Sequence, residues 1–304
     1  MWLILAFMSA AFLGVYDSLK KKSLKGNAVL PVLFLNTLFS SLIFQPFIIV
    51  SGTSNVLDGS IFHVAAGTWE EHKYIVLKAL IVLSSWVLGY FGMKHLPLTI
   101  VGPINATRPV MVLVGALLFF GERLNLWQWA GVVLAVASFL LLSRSGKKEG
   151  IDFKHDHWIY MIVGAAVLGA LSGLYDKYLM APVGEGGVGL DRMLVQSWYN
   201  IYQCFMMLLM LLLLWWPKRK QTTPFHWDWA ILGISLFLSA ADFMYFYSLS
   251  LPSAMISIAS MIRRGSVVVS FVCGALFFHE KNLRAKAVDL ALVLLGMLCL
   301  YIGS

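Results

Sequence analysis

Apolar segments of about 20 residues recur along the whole chain, and about 20 is the number of residues an α-helix needs to cross a bilayer core. In hydrocarbon every backbone N–H and C=O must be satisfied within its own segment, so such runs can only be helices. The composition agrees: of 304 residues, 60% are hydrophobic and 12% charged, with mean hydropathy +0.80. A soluble domain of this size has no use for so much apolar surface. The expected spans are 2–19, 28–50, 74–94, 97–119, 126–143, 158–179, 193–216, 229–249, 252–278 and 285–303. Polar stretches such as "KKKSLKGN", "TWEEHK" and "PKRKQTTPFHWD" separate them. The sequence therefore predicts an all-α, multi-pass membrane protein of ten transmembrane helices.

Residues 2–19 lack a basic leader and a small-residue cleavage site, so they read as the first span and not as a signal peptide. Cys204, Cys273 and Cys299 sit singly in apolar runs and read as packing residues. His155 and His157 flank Asp156 in a polar loop without further ligands, so neither a metal nor any other cofactor is expected. The net charge of +8 is loop charge on a membrane protein and does not point to nucleic acid. No nucleophile–His–acid arrangement, phosphate loop or metal motif is present, which argues against a membrane enzyme acting on lipid. No catalytic residue is assigned.

The chain also repeats itself. Gly14–Asp17 "GVYD" returns 159 positions later as "GLYD" at Gly173–Asp176. Leu96–Pro97 returns 155 later, and "FFGE" at Phe119–Glu122 returns 158 later as "FFHE". Three matches in one order at nearly one offset divide the chain into 1–145, a cytoplasmic linker 146–157, and 158–304. Five crossings per half force the halves to be inverted relative to one another, a layout that places a transporter's site between the repeats near the midplane. The loops and helix ends after the odd-numbered spans carry 15 Lys and Arg against 4 after the even-numbered ones. That asymmetry predicts odd loops in the cytoplasm and both termini outside.

Charged side chains within spans are costly, by about 2.5–3.5 kcal/mol on insertion scales, and they face a bundle interior or a watery cavity. Arg108 is mid-way along the fourth span, with Asn105 one turn before it. Arg263 and Arg264 are central in the ninth, where 252–278 holds no other charge. Ser260 and Ser257 share the Arg264 face. Asp242, in the eighth span, is the most plausible acidic partner, while the repeated Asp17 and Asp176 lie near helix ends. Three arginines against one mid-span aspartate favour an anionic ligand, which the planar guanidinium binds bidentately. The structural alternative is that one arginine is locked to Asp242 and another bonds backbone carbonyls.

Gln196, Asn200 and Gln203 lie on one face of the seventh span, and Asn36 and Ser40 occupy the corresponding places in the second. Such a stripe either lines a cavity or bonds a neighbouring helix. Tyr16 and Tyr175 stand beside the repeated aspartates as gating candidates, or as ordinary interfacial tyrosines. Trp127, Trp129, Trp215, Trp216, Trp227 and Trp229 read as an interfacial belt.

The stretch "RPVMVLVGALLFFGERLNLWQWAGVVL" resembles the drug/metabolite transporter superfamily, and its EamA group in particular: a proline, a small-residue-rich apolar run, Gly-Glu-Arg, then a tryptophan or glutamine before a glycine-led helix. The second half keeps "GALFFHEKN" but lacks the proline near Gly265 and the glycine before Glu280. Glu122 and Glu280 match a family feature at a helix end and read as structural. The basic residue on the fourth span and the basic pair on the ninth are also similar in position to those with which plastid sugar-phosphate translocators, a branch of the same superfamily, grip phosphate.

The resemblance implies a secondary transporter in a bacterial inner membrane, a monomer or homodimer, moving a small organic or phosphorylated anion by alternating access. Arg108, Arg263, Arg264, Asn105, Gln196, Asn200 and Asn36 would meet the substrate. Asp242, Asp17 and Asp176 are candidates for charge pairing or a coupling proton, and exchange would need no proton. Export of amino acids or cationic, drug-like metabolites is the alternative, with Asp242 then dominant. A non-transporting membrane assembly subunit is a third.

Overall fold

The apolar runs fold as α-helices with their ends set by local capping chemistry. The computed structural model describes residues 2–108, 110, 111, 125–147, 155–180, 183–185, 187–250, 262–278 and 283–303. Ten α-helices fall within these residues: α1 (Trp2–Leu24), α2 (Val29–Thr53), α3 (Trp69–His95), α4 (Leu98–Ala106), α5 (Leu126–Lys147), α6 (His157–Met180), α7 (Arg192–Met210), α8 (Ala230–Ser250), α9 (Ser266–Phe277) and α10 (Leu283–Gly303). No strand occurs among the described residues. Six helices are long and apolar enough to cross a membrane, namely α1, α2, α3, α6, α7 with its continuation to Lys218, and α8. Shorter apolar helices cover Trp129–Ser138 and Ala287–Gly303. The protein is an all-helical, multi-pass integral membrane protein.

Several ends differ from the sequence expectation. "TWEEHK" is not a separator but the first turn of α3. Thr68 accepts from the Glu71 N–H and the Glu71 side chain accepts from the Thr68 N–H, and this reciprocal capping box satisfies two orphan donors. Asp191 caps α7 through the Met193 and Leu194 N–H groups, and Asp156 caps α6 through the Trp158 N–H at 2.9 Å. The last turn of α1 runs on to Leu24, and Gly26 turns the chain at φ 66°, a conformation that favours glycine. Asn27 then clips this turn to the approach of α8, donating to His226 O at 2.7 Å and accepting from His226 N–H at 2.9 Å.

The largest departure concerns the fourth and ninth spans, expected to be continuous. Thr107 is a turn between α4 and a helical Arg108, and Gly265 is a turn between helical Ile262–Arg264 and α9. Thr107 N–H bonds back to Ile104 O at 3.2 Å and Gly265 N–H to Ile262 O at 2.9 Å, three residues instead of four. Pro109 follows two residues after the first turn in the sequence, and proline has no N–H with which to continue the helical hydrogen-bond ladder. Glu122, Glu280, Ser257, Ser260, Pro252 and residues 148–154 lie outside the described residues.

Packing follows a rule of five. α1 packs on α8 as α3 packs on α6, α1 on α9 as α4 on α6, and α2 on α8 as α3 on α7. The pairs α2–α7, α4–α9 and α5–α10 map onto themselves. At the first of these contacts Ser9 Oγ donates to Ala241 O at 2.6 Å, and Ser85 Oγ donates to Ala165 O at 2.7 Å. Ser9 and Ala165 are 156 positions apart, as are Ser85 and Ala241, so the same contact occurs twice with donor and acceptor exchanged. Outward-facing side chains such as Ile4, Phe7, Leu80, Phe205, Leu236 and Leu276 are exposed and apolar, as a lipid-facing surface requires.

Candidate functional site

The two helix irregularities fall beside the two arginine positions. Arg108 follows the turn at Thr107 and Arg264 precedes the turn at Gly265, and α4 packs on α9. Close contact is possible because Gly102 meets Val267: a Cβ there would lie 2.7 Å from Val267 Cγ2. The fold thus brings one arginine of the first half and two of the second to one place inside the bundle.

Their surroundings are unequal. Arg263 forms an ion pair with Asp242 of α8, its side chain 16% and the aspartate's 10% exposed. Its guanidinium also lies 4.4 Å from the Tyr245 ring centroid, a cation–π distance. The other carboxylate oxygen of Asp242 accepts from Tyr199 Oη of α7 at 3.0 Å. Both oxygens of Asp242 are therefore engaged.

Arg108 has no carboxylate bonded to it among the described residues. Its Nη2 donates to Asn105 Oδ1 at 2.9 Å, while its Nε is buried without a partner among the described residues. The guanidinium packs flat against Gly169 of α6, where a Cβ would lie 2.6 Å from Nη1. Arg264 makes no hydrogen bond or ion pair among the described residues, and it lies within electrostatic reach of Arg108, Arg263, Tyr245 and Asp17. Tyr16 of α1 is buried beside this group, within reach of Arg108 and Asp242.

Two further charge pairs flank the centre. Asp17 Oδ1 holds Lys20 Nζ at 2.9 Å and its Oδ2 accepts from Ser270 Oγ of α9 at 3.3 Å. Lys20 also sits over the rings of Tyr16 and Tyr90, at 4.3 and 5.1 Å. Asp176 pairs with Lys78 of α3, whose ammonium lies 5.1 Å from the Tyr199 ring. The partners of these pairs on α3, Tyr90 and Lys78, are twelve residues apart, roughly 18 Å at the helical rise. A string of ionic groups thus runs along the bundle, from Lys20–Asp17 through the arginines and Asp242 to Lys78–Asp176.

Asp17 and Asp176, which the sequence places near helix ends, both form ion pairs. The carboxylate of Asp17 takes Lys20, because Lys21 points elsewhere and donates to Met93 O at 2.7 Å and to Leu96 O. Asp176 takes a lysine 98 residues away. Lys78, Lys20, Tyr199, Tyr245 and Gly169 were missed from sequence. Lys78 alone carried a signal, as the one cation within "IVLKALIVL"; the others needed the packing. Tyr175 Oη donates to Tyr74 O at 3.3 Å and stands apart from the arginines.

The amide stripe is fully buried between α2 and its neighbours: Asn36, Ser40 and Gln203 at 0%, Gln196 at 1% and Asn200 at 3% exposure. Asn200 donates to Gln196 O within its own helix at 2.7 Å. Both amide atoms of Asn36 and of Gln203 lack partners among the described residues.

The sequence model of the EamA-like transporter family matches residues 1–144 and 157–302. A relative described as "Uncharacterized transporter in cobO 3'region", from Sinorhizobium sp, is 31% identical over 87 residues, covering 26% of this chain and 62% of that protein. A solved structure described only as "Crystal structure of protein" superposes with TM-score 0.65 at 12% identity, over 98% of this chain and 96% of its own.

Proposed function

The chain belongs to the EamA-like transporter family and is a membrane transporter, not an enzyme; from that premise we propose that it moves a small organic or phosphorylated anion through the arginine-lined centre. Arg108, Arg263 and Arg264 come together with Asp242 the only carboxylate bonded to any of them among the described residues, and this observation carries the reading. Charges are retained inside a membrane where something compensates them, and a planar guanidinium binds carboxylate or phosphate oxygens two at a time.

The accompanying architecture is ten spans in two inverted repeats, 1–145 and 158–304 joined by 146–157, in a bacterial inner membrane with termini outside. Its support is the offset of 155–159 in sequence motifs and the pairing of helices five apart. Alternating access then rocks one half against the other about the α4–α9 contact. Asn105 orients Arg108, Asp242 and Tyr199 hold Arg263, and Asn36, Gln196 and Asn200 offer buried amides beside the path. Asp17 and Asp176, with Tyr16 and Tyr175 next to them, gate its two ends, and any coupling proton is carried by one of these acids or Asp242. Recognition of a cation by Asp242 is disfavoured, since both its oxygens are engaged.

The test is thermal stability of the purified protein against phosphates, carboxylates and organic cations, with Arg108→Gln and Arg264→Gln alongside. A ligand of the folded state raises the melting temperature by mass action. Anion-specific stabilisation that both variants lose is the expected result. Stabilisation by cations that survives in both variants overturns the reading.

A further inference from the structure

The anion reading leaves its charge unspecified, and the bonding inside the bundle narrows it. Among the described residues, five charged side chains contribute to the centre: Arg108, Arg263, Arg264, Asp242 and Asp17. Asp17 is already matched by Lys20 on one oxygen and Ser270 on the other. Asp242 is matched by Arg263 on one oxygen and the Tyr199 hydroxyl on the other. Every oxygen of the two carboxylates already accepts a bond, and each carboxylate already faces one bonded cation among the described residues. Arg108 is held only by a neutral amide and Arg264 by no hydrogen bond or ion pair among the described residues. These two come one from each half, on helices that pack together.

Resting on the anion-transport reading above, we infer that the substrate is a dianion whose two negative charges are shared between Arg108 and Arg264, with Asp242 fixing that number by cancelling Arg263. A monoanion would leave one of two neighbouring guanidiniums uncompensated in a low-dielectric interior, where an unpaired charge is costly. A dianion neutralises both, and its oxygens suit two forks approaching from opposite halves. Two chemistries supply it: a phosphomonoester, which carries about −1.5 to −2 charges at pH 7, and a dicarboxylate. Because Arg108 and Arg264 belong to different halves, such a ligand also ties the halves together when bound.

The experiment compares ligands that differ by one charge at nearly constant size: methyl phosphate against dimethyl phosphate, and succinate against its monomethyl ester. Binding to the purified full-length protein is read by thermal shift and by competition in proteoliposome uptake. The dianion of at least one pair binds tenfold or more tightly than its ester, and the pair that shows this names the chemistry. Arg264→Gln and Arg108→Gln each bring that ratio to near one by weakening the dianion. Arg264→Lys, which keeps the charge, keeps the preference; a merely structural arginine would not separate the two substitutions.

Equal binding of ester and dianion in the wild type overturns the inference and leaves anion transport standing. A dianion preference that survives both Gln variants overturns it too. Absence of binding by every anion tested removes the underlying reading along with it. Melting temperature without ligand establishes that each variant is folded, and if Arg108→Gln is not, Arg264→Gln and Arg264→Lys decide alone.

Discussion

The ends of the ionic string and its centre obey different rules. At each end a buried lysine meets an aspartate and the charges cancel: Lys20 with Asp17, and Lys78 with Asp176. Each lysine also lies over aromatic rings. At the centre three arginines share one bonded aspartate. The chain can thus match buried charges one for one, and it does so where the lysines are. On the reading proposed above, the arginines left unmatched among the described residues are a place where a ligand supplies the compensation. Matched pairs should behave as structure, and unmatched arginines as a binding site.

The strongest way to break this comparison is at Lys78, which is only 3% exposed. Asp176→Asn removes its countercharge, and a buried partner left unpaired costs about 3–5 kcal/mol. A large fall in melting temperature is expected, and Lys78→Met combined with Asp176→Leu should recover most of it, because two apolar groups replace a pair at little cost. Near-native stability of the single variant would mean that water reaches Lys78 and that the end is open.

A smaller effect is expected at Gly169, where the matched and unmatched regions meet. Gly169→Ala puts a methyl group 2.6 Å from Arg108 Nη1. Overpacking costs about 1–3 kcal/mol, here expressed as displacement of the guanidinium. Anion affinity should fall roughly tenfold, a change of about 1.4 kcal/mol, with the melting temperature of the ligand-free protein little changed. A variant that destabilises the empty protein but binds anions normally would place Arg108 among the structural residues.

These sites differ in how far they could be read from sequence. The helices were legible because a bilayer imposes one length on every crossing, which α2, α3 and α6 meet within a few residues of their expected ends. The starts were less legible: Thr68 and Glu71 cap α3 in what reads as a polar separator. Asp242 and Arg263 were legible as opposite charges within consecutive apolar runs, which makes each the natural partner of the other. Lys78 with Asp176 needs α3 to lie on α6, a contact that no local pattern encodes. Pro109 and Gly265 were visible as residues, yet a proline or glycine within a span does not say whether the helix bends or breaks.

The backbone-packing contacts give a finer division. Ser9 and Ser85 each bond a carbonyl of a helix from the other half of the chain. Ser9→Ala and Ser85→Ala should each cost about 0.5–1.5 kcal/mol and leave anion selectivity unchanged. Equal losses in melting temperature are expected if the two halves are the inverted repeats proposed above, since the two contacts involve positions 156 apart with donor and acceptor exchanged.

The smallest expected change in stability is the most telling. Arg264→Gln removes a charge that has no ion-pair partner among the described residues and that feels two like charges, Arg108 and Arg263. Truncating one side of a matched pair strands the other side; truncating an unmatched charge strands nothing and relieves repulsion. The ligand-free variant should melt at the wild-type temperature or slightly above it, within about 0.5 kcal/mol, while its stabilisation by anion disappears. The signs at Asp176 and Arg264 are then opposite for the same kind of substitution, a charged side chain exchanged for a neutral amide. If Arg264→Gln instead melts as early as Asp176→Asn, Arg264 has a structural partner and the centre obeys the same rule as the ends.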